Sequence, residues 1–149
     1  MTRETATLSA GSEIHVGLPA QPLASEFELA LRDVVQESPE IAFAHLPLVT
    51  LPNQAPSLML ALYCRRGVDP QQLLTRLVPI VRSELERVGQ ASSQTPPNLG
   101  VMPISLGHPL DGLAQAIAQT SSELHVADVQ AWQRARRPSR PWWLRWLPS

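Results

Sequence analysis

The stretch Leu58-Met59-Leu60-Ala61-Leu62-Tyr63-Cys64 is apolar at every position, and it constrains this chain more than any other feature. A strand with one wet face alternates polar and apolar residues, whereas an unbroken apolar run of this length suits a strand buried on both faces. Leaving one of those faces in water would forgo roughly 1.5–3 kcal/mol for each large aliphatic side chain. The run therefore predicts a sheet that is covered on two sides. The second cover has to come from the C-terminal segment or from a second copy of the chain.

The remaining elements fall around this strand. Glu13-Ile14-His15-Val16 alternates and then meets Gly17-Leu18-Pro19, which reads as a short strand ended by breakers. Ser25 with Glu28 three residues later has the form of a capping box, and Phe27, Ala30, Leu31, Val34 and Val35 follow at helical spacing. That places a helix at about Glu26–Gln36, stopped by Glu37-Ser38-Pro39. Ile41 to Leu46 is strand-like, with Pro47 marking a strand end or an edge. Leu51 to Pro56 reads as a turn.

After Arg65-Arg66-Gly67, Asp69 is a candidate N-cap and Pro70 fits the first helical position. Leu73, Leu74, Leu77, Ile80, Val81 and Leu85 form a helical stripe, with Pro79 as a bend and Gly89 as the cap. Residues 90–98 read as a loop and Leu99–Leu106 as a last strand at an edge. Leu110, Leu113, Ala114 and Ile117 indicate a third helix. Ser122–Arg137 is compatible with a short extended piece or with another helix.

The order β-α-β-β-α-β, followed by a helix, predicts an α/β (α+β) domain of ferredoxin-like type. In that arrangement a four-stranded antiparallel sheet carries two helices on one face. With 149 residues and 44% hydrophobic content, one core is expected rather than two. The expected organisation is a flexible lead-in at 1–11, an α/β domain at 12–131, and a tail rich in Trp, Arg and Pro at 132–149.

Four stretches carry a likeness to a known family. They are Gly11–Pro19 (GSEIHVGLP), Ser38–Leu46 (SPEIAFAHL), Ser57–Leu62 and Met102–Ser105. Over about residues 11–127 the chain resembles the C-terminal domain of the serine-sensitivity-enhancing SseB family. His45 follows Ala44 where that family tends to place Leu after its Ala-aromatic pair. The resemblance implies a bacterial cytoplasmic protein with a regulatory role and supplies no catalytic residues. Members of that family also carry an N-terminal domain, for which this chain lacks room.

Composition and spacing narrow the chemistry. The formal net charge is −1, so no overall field recruits nucleic acid or anionic membrane. All 12 basic residues are Arg, which favours bidentate contacts to carboxylate and phosphate. Cys64 is the sole cysteine, so neither an internal disulfide nor a multi-cysteine metal site is available. No signal-peptide core and no spanning apolar stretch is visible, so a cytoplasmic location is expected. Arg65 and Arg66 beside Cys64 are the type of neighbours that lower a thiol pKa. No base or catalytic signature accompanies the cysteine, so a thiol enzyme is the last of the alternatives.

His15, His45, His108 and His125 lack metal-ligand spacing. Glu26, Glu28, Glu37, Glu84 and Glu86 fit solvated helix faces. No phosphate-binding glycine motif is present. No catalytic residue, metal or cofactor is expected.

The C-terminus stands apart. Residues 132–149 (WQRARRPSRPWWLRWLPS) hold all four Trp and five of the 12 Arg. Pro138 and Pro141 exclude one continuous helix. The segment can fold back on the domain, anchor a protein partner, or adsorb to an anionic membrane surface. Nucleic acid is disfavoured for want of a wider basic surface. The reading adopted is a non-catalytic protein-interaction module. It would use the sheet face or the tail, with Trp142, Trp143 and Trp146 filling pockets and Arg134, Arg136, Arg137, Arg140 and Arg145 meeting acidic groups.

Overall fold

The strand predicted to be buried on both faces sits at the centre of the sheet. In a computed structural model, which describes residues 14–19 and 23–137, it runs from Ser57 to Cys64 as β4. Its side chains divide between two cores. Leu60, Leu62 and Cys64 pack on one face; Ala61 and Tyr63 pack on the other.

The preceding strands are β1 (His15–Gly17), β2 (Ile41–His45) and β3 (Leu48–Thr50). Helix α1 (Ser25–Gln36) lies between β1 and β2. After β4 come α2 (Pro70–Ser92), β5 (Leu99–Ser105), α3 (Gly112–Gln119), β6 (Glu123–Val126) and α4 (Val129–Arg136).

Helices α1 and α2 close the first core through Phe27, Leu31, Leu73, Leu77 and Val81. Helices α3 and α4 close the second through Ala114, Ile117, Ala118, Ala131 and Ala135. The second cover is thus the C-terminal part of the same chain. The result is a mixed α/β domain of three layers, with helices on both sheet faces.

The sheet departs from the ferredoxin-like expectation. Six strands are present among the described residues, and β4 pairs parallel with β5 along Leu58–Cys64. Two local causes account for this. Pro47 has no N–H to give the ladder, so the second strand is split. Its two parts, β2 and β3, pair antiparallel with successive stretches of one edge of β4. Then α2, 23 residues long, returns the chain as a crossover, which is what a parallel neighbour requires. Strand β5 does lie at an edge, as its Pro103 predicts. The stretch Ser122–Arg137 contains both an extended piece, β6, and a helix, α4. Helices therefore cover both faces rather than one.

Of three helix-end signals, two are used differently from the sequence expectation and one as expected. Helix α1 starts at Ser25 with Ala24 as N-cap and no side-chain cap, and Glu28 pairs with Arg32 at 3.0 Å instead of closing a capping box. A partly exposed i,i+4 pair of this kind is worth only about 0.3–0.5 kcal/mol. Asp69 does cap α2, accepting from the Gln71 N–H at 2.9 Å. Gly89 lies inside α2 rather than after it; Ser93, in the left-handed region at φ 55°, ends the helix. The glycine is needed there for room, because a Cβ would stand 2.8 Å from the Gln94 carbonyl oxygen.

Candidate functional site

The carboxyl ends of the parallel strands β4 and β5 form one wall of a cavity of about 480 Å³. Ligands of α/β sheets characteristically bind at such strand ends. Arg65 and Arg66 follow β4 directly, and Leu106 follows β5. The wall opposite is α4, which contributes Asp128, Ala131, Arg134 and Ala135. His108 enters from the loop between β5 and α3.

A β-bulge builds this site. Ile41 pairs with Cys64 and Phe43 pairs with Tyr63, which leaves Ala42 as the extra residue in β2. Bulges turn a strand locally and re-aim its groups. Here Ala42 and Phe43 fall on the same sheet face. The Ala42 carbonyl accepts two N–H groups, from Ala127 and Asp128, both at 2.9 Å. That bond pair fixes the start of α4. Asp128 then acts twice: one carboxylate oxygen caps α4 at the Ala131 N–H, 3.1 Å away, and the other accepts from Arg65 Nη1 at 3.3 Å. Arg65 Nε donates to the Pro39 carbonyl at 2.9 Å, so this guanidinium is held at two points.

Arg66 and Arg134 are exposed, and their side chains have no hydrogen-bond or ion-pair partner among the described residues. The loop carrying Arg66 turns through Gly67 at φ +84°, a conformation that favours glycine. Among the described residues, three guanidinium groups against one carboxylate make the lining net positive. Its floor is small and apolar.

The inner side of α4 is locked by a buried polar chain. Trp132 Nε1–H donates to His45 Nε2 at 3.2 Å, which makes that ring nitrogen the acceptor. The ring proton therefore sits on Nδ1 and points at Ser122 Oγ, 3.0 Å away. Ser122 in turn lies 2.6 Å from Thr120 Oγ1, and the Thr120 hydroxyl donates to the Ile117 carbonyl at 2.6 Å. Read in this direction, every donor has one acceptor. The chain links α4, β2, the segment before β6, and α3.

His45 is fully buried and meets Phe43 and Tyr63 edge-on at 5.8 and 5.9 Å. Burial, with the Arg136 cation as a smaller contribution, lowers its pKa to about 4. It is a neutral structural imidazole at physiological pH.

The residues singled out in the sequence thus separate. Arg134 faces the cavity. Arg136 is committed to the fold: it lies over the Trp132 ring at 4.8 Å, donates to the Thr120 carbonyl at 3.3 Å and approaches Glu123 at 4.0 Å. Arg137 is exposed at the end of α4. Arg140, Trp142, Trp143, Arg145 and Trp146 lie outside the described residues.

Sequence reasoning did not identify Asp128 or His108 as site residues, and Arg65 and Arg66 were noted only beside Cys64. The signal carried by Arg65 and Arg66, basic residues right after an apolar strand, is present in the sequence but unspecific. Cys64 itself is fully buried, and burial pushes its thiol up to about 11, with the Ile104 backbone opposing. At neutral pH it is a protonated core thiol.

Among the described residues no group of three or more His, Cys, Asp and Glu is placed to hold a metal ion. No described helix is long and apolar enough to cross a membrane. Comparison with protein-family models, with curated proteins and with solved structures gives no match for this chain.

Proposed function

We propose that this protein is a non-catalytic interaction or regulatory module. Its partner-facing surface is the outer side of α4, and the Trp- and Arg-rich sequence 138–149 acts with it. One observation carries the reading. The inner side of α4 is fastened to the core through Trp132 and Ala135, which leaves Arg134 and Arg137 outside with no side-chain partner among the described residues. A rigid helix that presents arginines next to a Trp-rich sequence has the composition of an interface hot spot. Helices occupy both sheet faces, so α4 and the tail take over the role considered for an open sheet. The resemblance to the SseB C-terminal domain supports a regulatory role in a bacterial cytoplasm.

The partner is a protein with acidic groups opposite the arginines. Reversing both charges, Arg134→Glu with Arg137→Glu, is expected to weaken capture of that protein by about tenfold or more while leaving thermal unfolding unchanged. Capture at wild-type strength would count against the reading. An anionic membrane surface is the second reading, carried by Trp142, Trp143 and Trp146 among Arg140 and Arg145 in the sequence. Sedimentation with anionic vesicles separates it from the first.

A further inference from the structure

We infer that the cavity at the carboxyl ends of β4 and β5 is a binding site for a small oxyanionic ligand, a phosphate or carboxylate carried on a compact apolar body. The site shares Arg134 with the proposed protein-facing surface, but its other lining residues, Arg65 and Arg66 among them, lie outside that surface.

Four features carry this inference. The first is charge. Arg65, Arg66 and Arg134 line the cavity, and among the described residues Asp128 is the carboxylate that lines it. That carboxylate is already used by Arg65 and by the N–H of Ala131. Among the described residues, two guanidinium groups are left without an anion. Guanidinium groups bind carboxylate and phosphate through paired N–H donors, so the uncompensated charge selects an oxyanion.

The second feature is preorganisation. Arg65 is fixed through Nε and Nη1, while its Nη2 carries no hydrogen bond among the described residues. A donor group held in place before binding loses little freedom when the ligand arrives. The same bulge that positions Asp128 therefore also positions the first arginine.

The third feature is room. The small side chains of Ala42, Ala131 and Ala135 leave space at the floor, and the cavity of about 480 Å³ lies within the roughly 300–1,000 Å³ usual for small-molecule sites. A bare inorganic ion would leave most of that space unfilled. The apolar floor, with Leu106 and Leu110 beside it, suits a compact hydrocarbon or ring next to the charged group. The fourth is a donor residue from a third element: His108, on the loop before α3, lines the cavity, so the end of β4, α4 and this loop each contribute one or more donor residues to its lining.

The test is calorimetric titration of the full chain with phenyl phosphate and with benzoate. Phenol and inorganic phosphate at matched ionic strength serve as controls. Saturable binding of phenyl phosphate, benzoate or both is expected, and the ratio of the two affinities identifies the preferred oxyanion. Phenol should not bind, and inorganic phosphate should bind more weakly than phenyl phosphate.

Arg66→Ala and Arg134→Ala change exposed side chains and should each weaken binding by about tenfold or more, with unfolding unaltered. Absence of saturable binding by either probe would overturn the inference, as would equal affinity in the wild type and both variants. Arg66 lies outside the proposed protein-facing surface. Loss of probe binding in Arg66→Ala with partner capture intact therefore distinguishes this site from the interaction surface, and failure of either idea leaves the other standing.

Discussion

His45→Leu is expected to destabilise the fold by about 2–4 kcal/mol, because it removes the middle link of a buried hydrogen-bond chain. Leucine fills a similar volume, so cavity formation contributes little. The loss comes from the polar partners. Trp132 Nε1–H loses its acceptor, and Ser122 loses the Nδ1–H that points at its oxygen. A buried polar group left without a partner costs roughly 1–3 kcal/mol. The edge-on contacts of the imidazole with Phe43 and Tyr63 are lost as well.

For a chain of this size the melting temperature should drop by roughly 5–15 °C. The loss should be concentrated in α4, whose hold on the sheet runs through Trp132. Amide hydrogen exchange is the decisive check. Faster exchange in α4 with little change in α2 is expected, and uniform loss of protection would show that His45 acts on the core as a whole. Ser122→Ala should reproduce part of the effect, about 1–2 kcal/mol, since it orphans only one end.

The second large effect is a pH dependence with a definite sign. The folded-state pKa of His45 is lowered from 6.5 to about 4 by burial and by the Arg136 cation. Between those values the unfolded chain binds a proton that the folded chain refuses. Stability is therefore full above about pH 6.5 and declines as the pH falls towards 4. Each pKa unit corresponds to about 1.4 kcal/mol, so the decline attributable to this one residue reaches about 3 kcal/mol.

Protonation also places a second N–H against the Trp132 N–H, donor facing donor, so the α4 attachment loosens in the same window. Urea unfolding at a series of pH values, in the wild type and in His45→Leu, isolates this contribution. The difference between the two proteins should shrink as the pH drops from 6.5 to 4. A difference that stays constant across that range would remove His45 from the account.

Much of the architecture could be read from local pattern. The run Leu58–Cys64 announced both its own burial and the need for a second cover. Asp69-Pro70 and the stripe Leu73, Leu77, Val81 and Leu85 marked the long helix because cap, first-turn proline and periodicity agree there. What escaped was set by partners far away in the chain.

The bulge at Ala42 breaks the two-residue alternation only because Phe43 registers against Tyr63. β3 is three residues long between prolines, too short for any period to show. Ser25 and Glu28 matched a capping box, yet Arg32 and the chain entering α1 from Ala24 decided otherwise. Gly89 looked like a helix stop and is instead a contact point for the loop that follows.

The site shows the same division. Arg134 was visible as one arginine of a basic cluster. That Arg136, two residues on, makes contacts within the fold depends on Trp132 and Thr120. Arg65 and Arg66 are neighbours of the type that lowers a thiol pKa, although the sequence favours a buried, structural Cys64. In the fold the thiol points into the core while the arginines lie beyond the strand end, and burial raises its pKa where sequence proximity had argued for lowering it.

The central claim is that α4 belongs to the domain and that its outer side, with residues 138–149, holds the partner. Affinity co-purification from the source cells with the full chain and with a chain ending at Arg137 tests it most directly. Ending at Arg137 retains Trp132, Ala135 and Arg136, the residues that fasten α4, so the domain should melt as before. The account predicts a protein captured by the full chain and lost from the shortened one. Equal capture of that protein by both chains would contradict it.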